Sequence, residues 1–162
     1  MTVISCTPNE DELALTLTAE FPASAQDVWG LWNDPRKLER WWGPPTFPAT
    51  FTELVLRDGG RAAYFMTSPE GEKFSGEWDI VTAEPTSTIE FQDYFADDQG
   101  NRNTSLPTTH TEVTISEHGA VTTMVITSSF ETAEGMRQLL EMGMVEGLSL
   151  AVGQIDGILA EG

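Results

Sequence analysis

The sequence predicts an α+β domain in which a curved antiparallel sheet of about seven strands wraps around one long C-terminal helix. Three observations lead to this prediction. The middle of the chain consists of strand-like segments whose connections are mostly short enough for hairpins. Residues 132–161 contain no proline and carry apolar residues at steps of three and four. The sheet must cover one of its faces, and only this last segment is long enough to do so.

The predicted C-terminal helix spans residues 132–161 and presents one apolar stripe. The members of the stripe are Leu140, Met144, Leu148, Ala151, Ile155 and Ile158. Four glycines interrupt the same segment: Gly143, Gly147, Gly153 and Gly157. Each costs about 1 kcal/mol relative to alanine in a helix interior, so tertiary packing has to hold the helix. The alternative is two shorter helices with a break near Gly143.

Before that helix, the predicted order is one strand, two short helices and six strands. The strands are predicted at 12–20, 51–57, 61–67, 73–83, 87–95, 109–116 and 121–130. Ser24 and Asp27 resemble a capping box that starts the first short helix. Pro35 starts the second, which ends before Gly43 and the two prolines after it. Residues 1–11 show no periodicity and are expected to form a flexible arm, with 12–162 as a single domain.

Composition argues against several classes of partner. The 26 acidic residues against 8 basic ones give a formal net charge of -18, which repels nucleic acid and anionic membranes. Cys6 is the single cysteine, so no internal disulfide is expected. No apolar run approaches the length of a membrane span and no secretory signal follows Met1. We therefore expect a soluble cytoplasmic protein.

Four short motifs occur in order along the predicted elements. They are Leu38-Glu39-Arg40-Trp41-Trp42-Gly43-Pro44, Gly59-Gly60 before an aromatic strand, Pro69-Glu70-Gly71 followed by Gly76-Glu77-Trp78, and Glu141-Met142-Gly143-Met144-Val145-Glu146-Gly147. With them, residues 12–160 resemble the activator-of-heat-shock-ATPase homologue family of the SRPBCC or START-like superfamily. The resemblance implies the helix-grip fold, a hydrophobic cavity between sheet and helix, and frequent homodimers. It implies no particular activity, because the superfamily includes lipid carriers, polyketide cyclases, hormone receptors and co-chaperones.

Alternation along the strands predicts which side chains face the helix and would contact a ligand. With contributions from the helices, the candidate ligand-binding residues are Trp32, Trp42, Tyr64, Met66, Trp78, Phe91, Asp93, Met124, Ser128, Leu140, Met144 and Leu148. Gly76 faces the same way and is expected to leave volume beside Trp78. Such a wall suits an uncharged or weakly polar aromatic or lipid-like molecule. The same side chains would also fill a core without any pocket, and both interpretations stay open.

Asp93 is the acidic residue expected on this inner face. Next to Phe91 and Trp78 its pKa would be raised, and it could then act as an acid or base; the alternative is that it points to solvent. Trp41 and Trp42, at the end of the second short helix, are either a gate over the cavity mouth, part of a dimer contact, or a corner anchor. The sequence contains no Gly-x-Ser-x-Gly motif and no clustered metal ligands, so no catalytic nucleophile, metal or cofactor is predicted.

Three functions follow from these observations. The leading hypothesis is binding of a small hydrophobic molecule in the cavity, by a homodimer. The second is stimulation of a heat-shock ATPase; it rests on the family resemblance, and the full-length activators carry a further N-terminal domain where this chain has only the arm. The third is a cyclase or hydrolase type of enzyme that uses Tyr64 or Asp93.

Overall fold

The computed structural model describes residues 3–97 and 99–161, and these residues form eight strands and five helices. The strands are β1 Val3–Asn9, β2 Ala14–Phe21, β3 Ala49–Leu54, β4 Arg61–Thr67, β5 Lys73–Glu84, β6 Thr88–Ala96, β7 Thr109–His118 and β8 Val121–Phe130. The helices are α1 Ala25–Asn33, α2 Pro35–Trp41, α3 Ala133–Glu141, α4 Met144–Gly153 and α5 Ile155–Ala160. Residues 1 and 2 of the predicted arm, and residues 98 and 162 of the predicted domain, lie outside the described residues.

The strands form one curved antiparallel sheet in the order β1-β2-β8-β7-β6-β5-β4-β3. Every neighbouring pair is antiparallel, as the short connections predicted. Along β8 the buried positions alternate strictly, from Thr122 through Met124, Ile126 and Ser128 to Phe130. This alternation defines the concave face of the sheet, which the helices cover.

The prediction of a flexible N-terminal arm was wrong for residues 3–9. These residues form the edge strand β1, in which Cys6 lies opposite Leu17 of β2. Most side chains of β1 are exposed and only Val3 and Cys6 are half-buried. A strand that buries so little carries no apolar alternation, and its backbone hydrogen bonds to β2 hold it in place. The sheet therefore has one strand more than predicted.

The two short helices begin where the sequence predicted. The Ser24 hydroxyl accepts a hydrogen bond from the Asp27 backbone N–H at 3.1 Å and caps α1. Asp34 caps α2 by accepting from the Arg36 N–H at 2.9 Å, and Pro35 occupies the first helical turn. Trp32 of α1 packs against Trp41 of α2 and contacts Trp78 and Phe91 of the sheet.

The prediction of one continuous C-terminal helix was wrong, and the alternative of a break near Gly143 is what the structure shows. Gly143 has a φ of 89°, a left-handed conformation that ends α3 before α4 begins. A second interruption at Gln154 separates α4 from α5. Its side-chain amide donates to the Gly43 carbonyl oxygen at 2.7 Å and ties this segment to the corner after α2.

The apolar stripe of the segment is buried mainly in its second half. Ala151, Ile155 and Ile158 are buried, whereas the stripe residues on either side of the break are half-buried. The helix α4 packs against β1 and β2 at one side of the sheet. Met144 and Leu148 in the half-buried stretch line a cavity and also pack against the buried clusters beside it.

We expect Gly143→Ala to lower the free energy of unfolding by about 1 kcal/mol, because an L-residue is strained at this positive φ. Gly147 lies inside α4 and a Cβ there would meet no atom within 4 Å. Gly147→Ala is the matched control and should raise stability by up to about 1 kcal/mol through helix propensity. Urea unfolding of both variants measures the difference, and equal effects of the same sign would show that the break at Gly143 is not set by its conformation.

Candidate ligand cavity

An aromatic cluster around Trp32 fills one part of the concave face. Trp32 is 0 % exposed and packs edge-on against Trp41, with 4.8 Å between ring centroids. Its indole N–H donates to the Met124 sulfur at 3.3 Å. Trp78 and Phe91 stack on each other at 4.1 Å and complete the cluster beneath it. This part of the domain is a packed core with no room for a ligand.

Next to this cluster lies a cavity of about 300 Å³ between β4–β8 and the junction of α3 and α4. Phe74 and Met142 lie at its edge and are 48 % and 59 % exposed, which marks the side open to solvent. The interior is mainly apolar. Its volume is at the lower end of the range found for small-molecule sites, enough for a compound of a few rings.

The structure brings one part of the predicted set together around this cavity and leaves the other part in the core. The lining members are Trp42, Tyr64, Met66, Asp93, Ser128, Met144 and Leu148. Trp32, Trp78, Phe91 and Met124 are fully buried in the aromatic cluster. Leu140 packs instead on a separate small cluster under α3. Period-two alternation identifies the inner face, and it cannot tell which inner residues touch each other and which touch empty space.

The prediction missed several lining residues. Thr109 and Thr111 follow the same alternation on β7 as the buried Val113, so strand parity could have found them. Phe74 has the parity of Trp78 on β5 and could have been found in the same way. Leu139 and Met142 reach the cavity because the helix breaks at Gly143, and no sequence signal placed them there.

Trp42 is a wall of the cavity and also a packing residue. It is half-buried, lines the cavity and packs edge-on against Trp78 with 4.8 Å between ring centroids. It follows α2 directly, so the corner formed by Gly43 and the prolines determines where its ring lies. The anchoring role proposed from the sequence therefore coexists with a position at the cavity.

Asp93 faces the cavity and pairs with Tyr64, which resolves the sequence alternatives for its orientation. The Tyr64 hydroxyl donates to Asp93 Oδ1 at 3.2 Å. Burial raises the pKa of Asp93 to about 7, although the hydrogen bond from Tyr64 and the proximity of the Trp78 indole N–H lower it in part. Burial, and then the neighbouring Asp93 charge, raises the pKa of Tyr64 well above its ordinary value. At neutral pH the pair is a neutral phenol beside a carboxyl group that changes its charge near pH 7.

Gly76 is required by the position of the Tyr64 ring. The two residues lie directly opposite each other on β5 and β4. A Cβ on residue 76 would lie 2.5 Å from Tyr64 Cζ and from its hydroxyl oxygen. The expectation that Gly76 leaves empty volume beside Trp78 was wrong, because the Tyr64 ring occupies that space. The glycine thereby lets the phenol lie across β5 and reach Asp93.

Two indole N–H groups remain without a hydrogen-bond partner near this pair. Among the described residues, Trp42 Nε1 and Trp78 Nε1 are the buried side-chain nitrogens that have no hydrogen-bond partner. The Trp78 N–H influences the pKa of Asp93 but forms no hydrogen bond of standard geometry with it. A buried donor without a partner costs about 1–3 kcal/mol. Tyr64 and Asp93 thus make a polar end in a mainly apolar cavity; Trp42 belongs to the cavity wall, whereas Trp78 lies in the buried aromatic cluster next to the pair.

In the part of the chain that the structure describes, no group of three or more His, Cys, Asp and Glu side chains is arranged to hold a metal ion. Nor do residues 3–97 and 99–161 contain a helix with the length and hydrophobicity needed to cross a membrane.

A curved antiparallel sheet that covers a C-terminal helical segment defines a helix-grip protein of the α+β class. The chain belongs to the family described as Activator of Hsp90 ATPase homolog 1-like protein, whose sequence model matches residues 22–160. The resemblance seen in the sequence motifs is thus confirmed. No curated protein matches the sequence.

Solved structures agree with this assignment. The solution structure of a protein from Arthrobacter aurescens is 45 % identical, with a TM-score of 0.95 over 99 % of this chain and 94 % of its own. Protein Ms6760 from Mycobacterium smegmatis is 43 % identical, with a TM-score of 0.89 over 97 % of this chain and 96 % of its own. DynU16, a putative protein in the dynemicin biosynthetic locus, is 16 % identical with a TM-score of 0.62, over 89 % of this chain and 47 % of its own. At that identity DynU16 shows only the shared fold.

We expect Asp93→Asn to remove a pH dependence of stability. Between about pH 4 and pH 7 the folded protein keeps a proton on Asp93 that the unfolded chain has lost, because its pKa rises from 3.8 to about 7 on folding. The contribution of this group to stability therefore falls as the pH rises through that window. Above about pH 7 the Asn variant should be more stable than the wild type, by up to about 4 kcal/mol.

Urea unfolding from about pH 4 to pH 8 measures both profiles. Glu112→Gln is the control, because it removes one charge from an exposed position on the outer face of β7. If the profiles of the Asn variant and the wild type run parallel across the window, then Asp93 does not carry a raised pKa in the folded state.

We expect Gly76→Ala to destabilise the domain by about 1–3 kcal/mol through its contact with the Tyr64 ring, as overpacking does in well-filled sites. Tyr64→Leu removes the ring atoms that a Cβ on residue 76 would meet. In the Tyr64→Leu background, Gly76→Ala should lower the free energy of unfolding by only a small fraction of its effect in the wild type. A double-mutant cycle of unfolding free energies measures this difference. If Gly76→Ala destabilises the Tyr64→Leu variant as much as the wild type, then Gly76 is required by the backbone conformation and not by the Tyr64 ring.

Proposed function

We propose that this protein binds a small hydrophobic or aromatic molecule in the cavity between the sheet and the α3–α4 junction. The observation that carries the proposal is an apolar cavity of about 300 Å³ that ends in the Tyr64–Asp93 pair. Apolar walls with a few placed polar groups are the usual composition of a small-molecule site. Filling the cavity with side chains would have been the more stable solution for a purely structural domain.

The composition of the walls supports the same proposal. Met66, Met142 and Met144 line the cavity, and thioether side chains adapt to ligands of different shape. Thr109, Thr111 and Ser128 add hydroxyl groups on β7 and β8. Such groups orient a ligand through single hydrogen bonds, whereas most of the binding free energy comes from the burial of apolar surface.

The other functions considered from the sequence stay predictions. Stimulation of a heat-shock ATPase is suggested by the family name, and an ATPase assay with a cognate chaperone tests it. Enzymatic activity of a cyclase or hydrolase type would use Tyr64 or Asp93 on a bound substrate, and the homodimer is testable by sedimentation. Neither the cavity nor its polar end specifies a reaction, and binding alone accounts for both.

Uncharged aromatic compounds should stabilise the protein against thermal unfolding and change the fluorescence of Trp42 at the cavity wall. A ligand at about 100 times its dissociation constant adds about 2.7 kcal/mol. Ser128→Leu places an apolar side chain into the cavity from β8, so it should abolish both signals. Thr127→Leu is the matched control on the opposite face of the same strand and should leave them intact. The proposal fails if no compound of a chemically diverse uncharged panel stabilises the wild type, or if Ser128→Leu and Thr127→Leu respond alike.

A further inference from the structure

The charges around the cavity limit which ligands it can accept. Among the described lining residues there is no Lys, Arg or His; the ionisable ones are Tyr64, Asp93 and Tyr94. Burial raises the pKa of both tyrosines, so they stay uncharged at neutral pH. A bound anion would lose its hydration in an apolar space and meet the Asp93 carboxylate without a compensating cation. The net charge of -18 adds repulsion over a longer range.

The hydrogen bonds of Asp93 leave room for one more donor. An ionised carboxylate offers about four acceptor sites on its two oxygens. In the described structure, the hydrogen bond of standard geometry to Asp93 comes from the Tyr64 hydroxyl and goes to Oδ1. The second oxygen thus keeps acceptor capacity at the polar end of a mainly apolar cavity. A ligand hydroxyl or amine that filled it would donate a charge-assisted hydrogen bond to a half-buried carboxylate, which is worth more than a hydrogen bond between neutral groups at the surface.

The groups that face Asp93 from the other elements do not titrate near neutral pH. The strands β7 and β8 present Thr109, Thr111 and Ser128 to the cavity, and α4 presents Met144 and Leu148. Tyr64 on β4 is neutral and already uses its proton on Asp93. Asp93 is therefore the side chain that determines the charge of the cavity, while the Tyr64 hydroxyl and the Trp42 and Trp78 indole N–H groups are the hydrogen-bonding groups next to it.

We propose that the cavity selects an uncharged ring compound that donates a hydrogen bond from a hydroxyl or amine group to Asp93, and that it rejects carboxylates and other anions. The inference rests on the proposed function, since it specifies the chemistry of the molecule bound there. It distinguishes this cavity from a site for fatty acids or other acidic lipids, which would need a cation or several hydrogen-bond donors beside the ligand's charge.

Two fluorescent probes with one scaffold test the charge selection. N-phenyl-1-naphthylamine is uncharged and has one N–H donor, and 8-anilino-1-naphthalenesulfonate adds a sulfonate to the same rings. At about pH 8, where Asp93 is ionised, we expect the wild type to bind the uncharged probe at least about tenfold more tightly. Asp93→Asn should reduce this ratio to about a third or less, and Glu112→Gln should leave it unchanged. Ser128→Leu should abolish binding of the uncharged probe, which locates that probe in the cavity.

The wild type alone provides a second measurement that does not depend on the folding of the Asn variant. Both probes keep their charge between about pH 5.5 and pH 8, whereas Asp93 gains a proton on going to the lower pH. The preference for the uncharged probe should therefore shrink at about pH 5.5. Displacement of the probe by 2-naphthol should need several-fold less compound than displacement by 2-methoxynaphthalene, which lacks the O–H donor.

The outcomes distinguish the two proposals. If both probes bind equally well and Ser128→Leu abolishes both, the cavity binds ligands but the selection by Asp93 is overturned. If 2-naphthol and 2-methoxynaphthalene displace the probe at equal concentrations at about pH 8, then the ligand does not donate a hydrogen bond to Asp93, and this part of the inference is overturned. If neither probe nor any compound of the uncharged panel binds, the proposed function itself fails and the inference fails with it.

Discussion

The position of the cavity depends on the burial of Trp32. Its ring contacts tryptophans from the end of α2 as well as Trp78 and Phe91 of the sheet, and it is fully excluded from solvent. Rings of this size dominate the packing of a small domain because each removes more than 100 Å² from water. Once this cluster is formed, the α1–α2 pair is fixed over one part of the sheet. The remaining part is left to α3 and α4, which meet at Gly143 and do not fill it.

Two carboxylates on neighbouring strands, the buried Glu77 and the half-buried Asp93, have different surroundings and therefore different roles. Glu77 on β5 pairs with Arg61 at 2.6 Å and accepts from the Tyr94 hydroxyl at 3.0 Å. Asp93 on β6 faces the other side of the sheet and has Tyr64 as its polar partner. The first is a compensated ion pair of the kind that stabilises a sheet surface. The second carries a desolvation cost without a nearby cation, and such uncompensated groups concentrate at binding and active sites.

The family assignment establishes the fold of this protein, whereas the proposed function depends on the cavity. Membership in the Activator of Hsp90 ATPase homolog 1-like family fixes the helix-grip fold, and the Arthrobacter and Mycobacterium structures share that fold along nearly the whole chain. A fold of this kind supports many activities, so the function has to be argued from the site. Tyr64, Gly76 and Asp93 form the specific part of this site, because the missing Cβ of the glycine leaves space for the ring whose hydroxyl reaches the carboxylate.

The sequence by itself determined the order of the elements, the antiparallel pairing and most of the inner face. These features depend on local periodicity, turn residues and caps such as Ser24 and Asp34, all of which act over a few residues. It also identified Tyr64 and Asp93 as inward-facing polar side chains, because strand parity is a local property. The pattern failed for β1, whose exposed side chains carry no alternation.

Tertiary structure alone decided which inner residues pack together and which border empty space. Trp78 and Phe91 have the same inward parity as Asp93, yet they stack in the core while Asp93 lines the cavity. The break at Gly143 also required the folded context, because a glycine is compatible with both a helix interior and a left-handed turn. Whether space remains between the sheet and the helices depends on how segments far apart in the sequence pack together, and no local sequence pattern determines this packing.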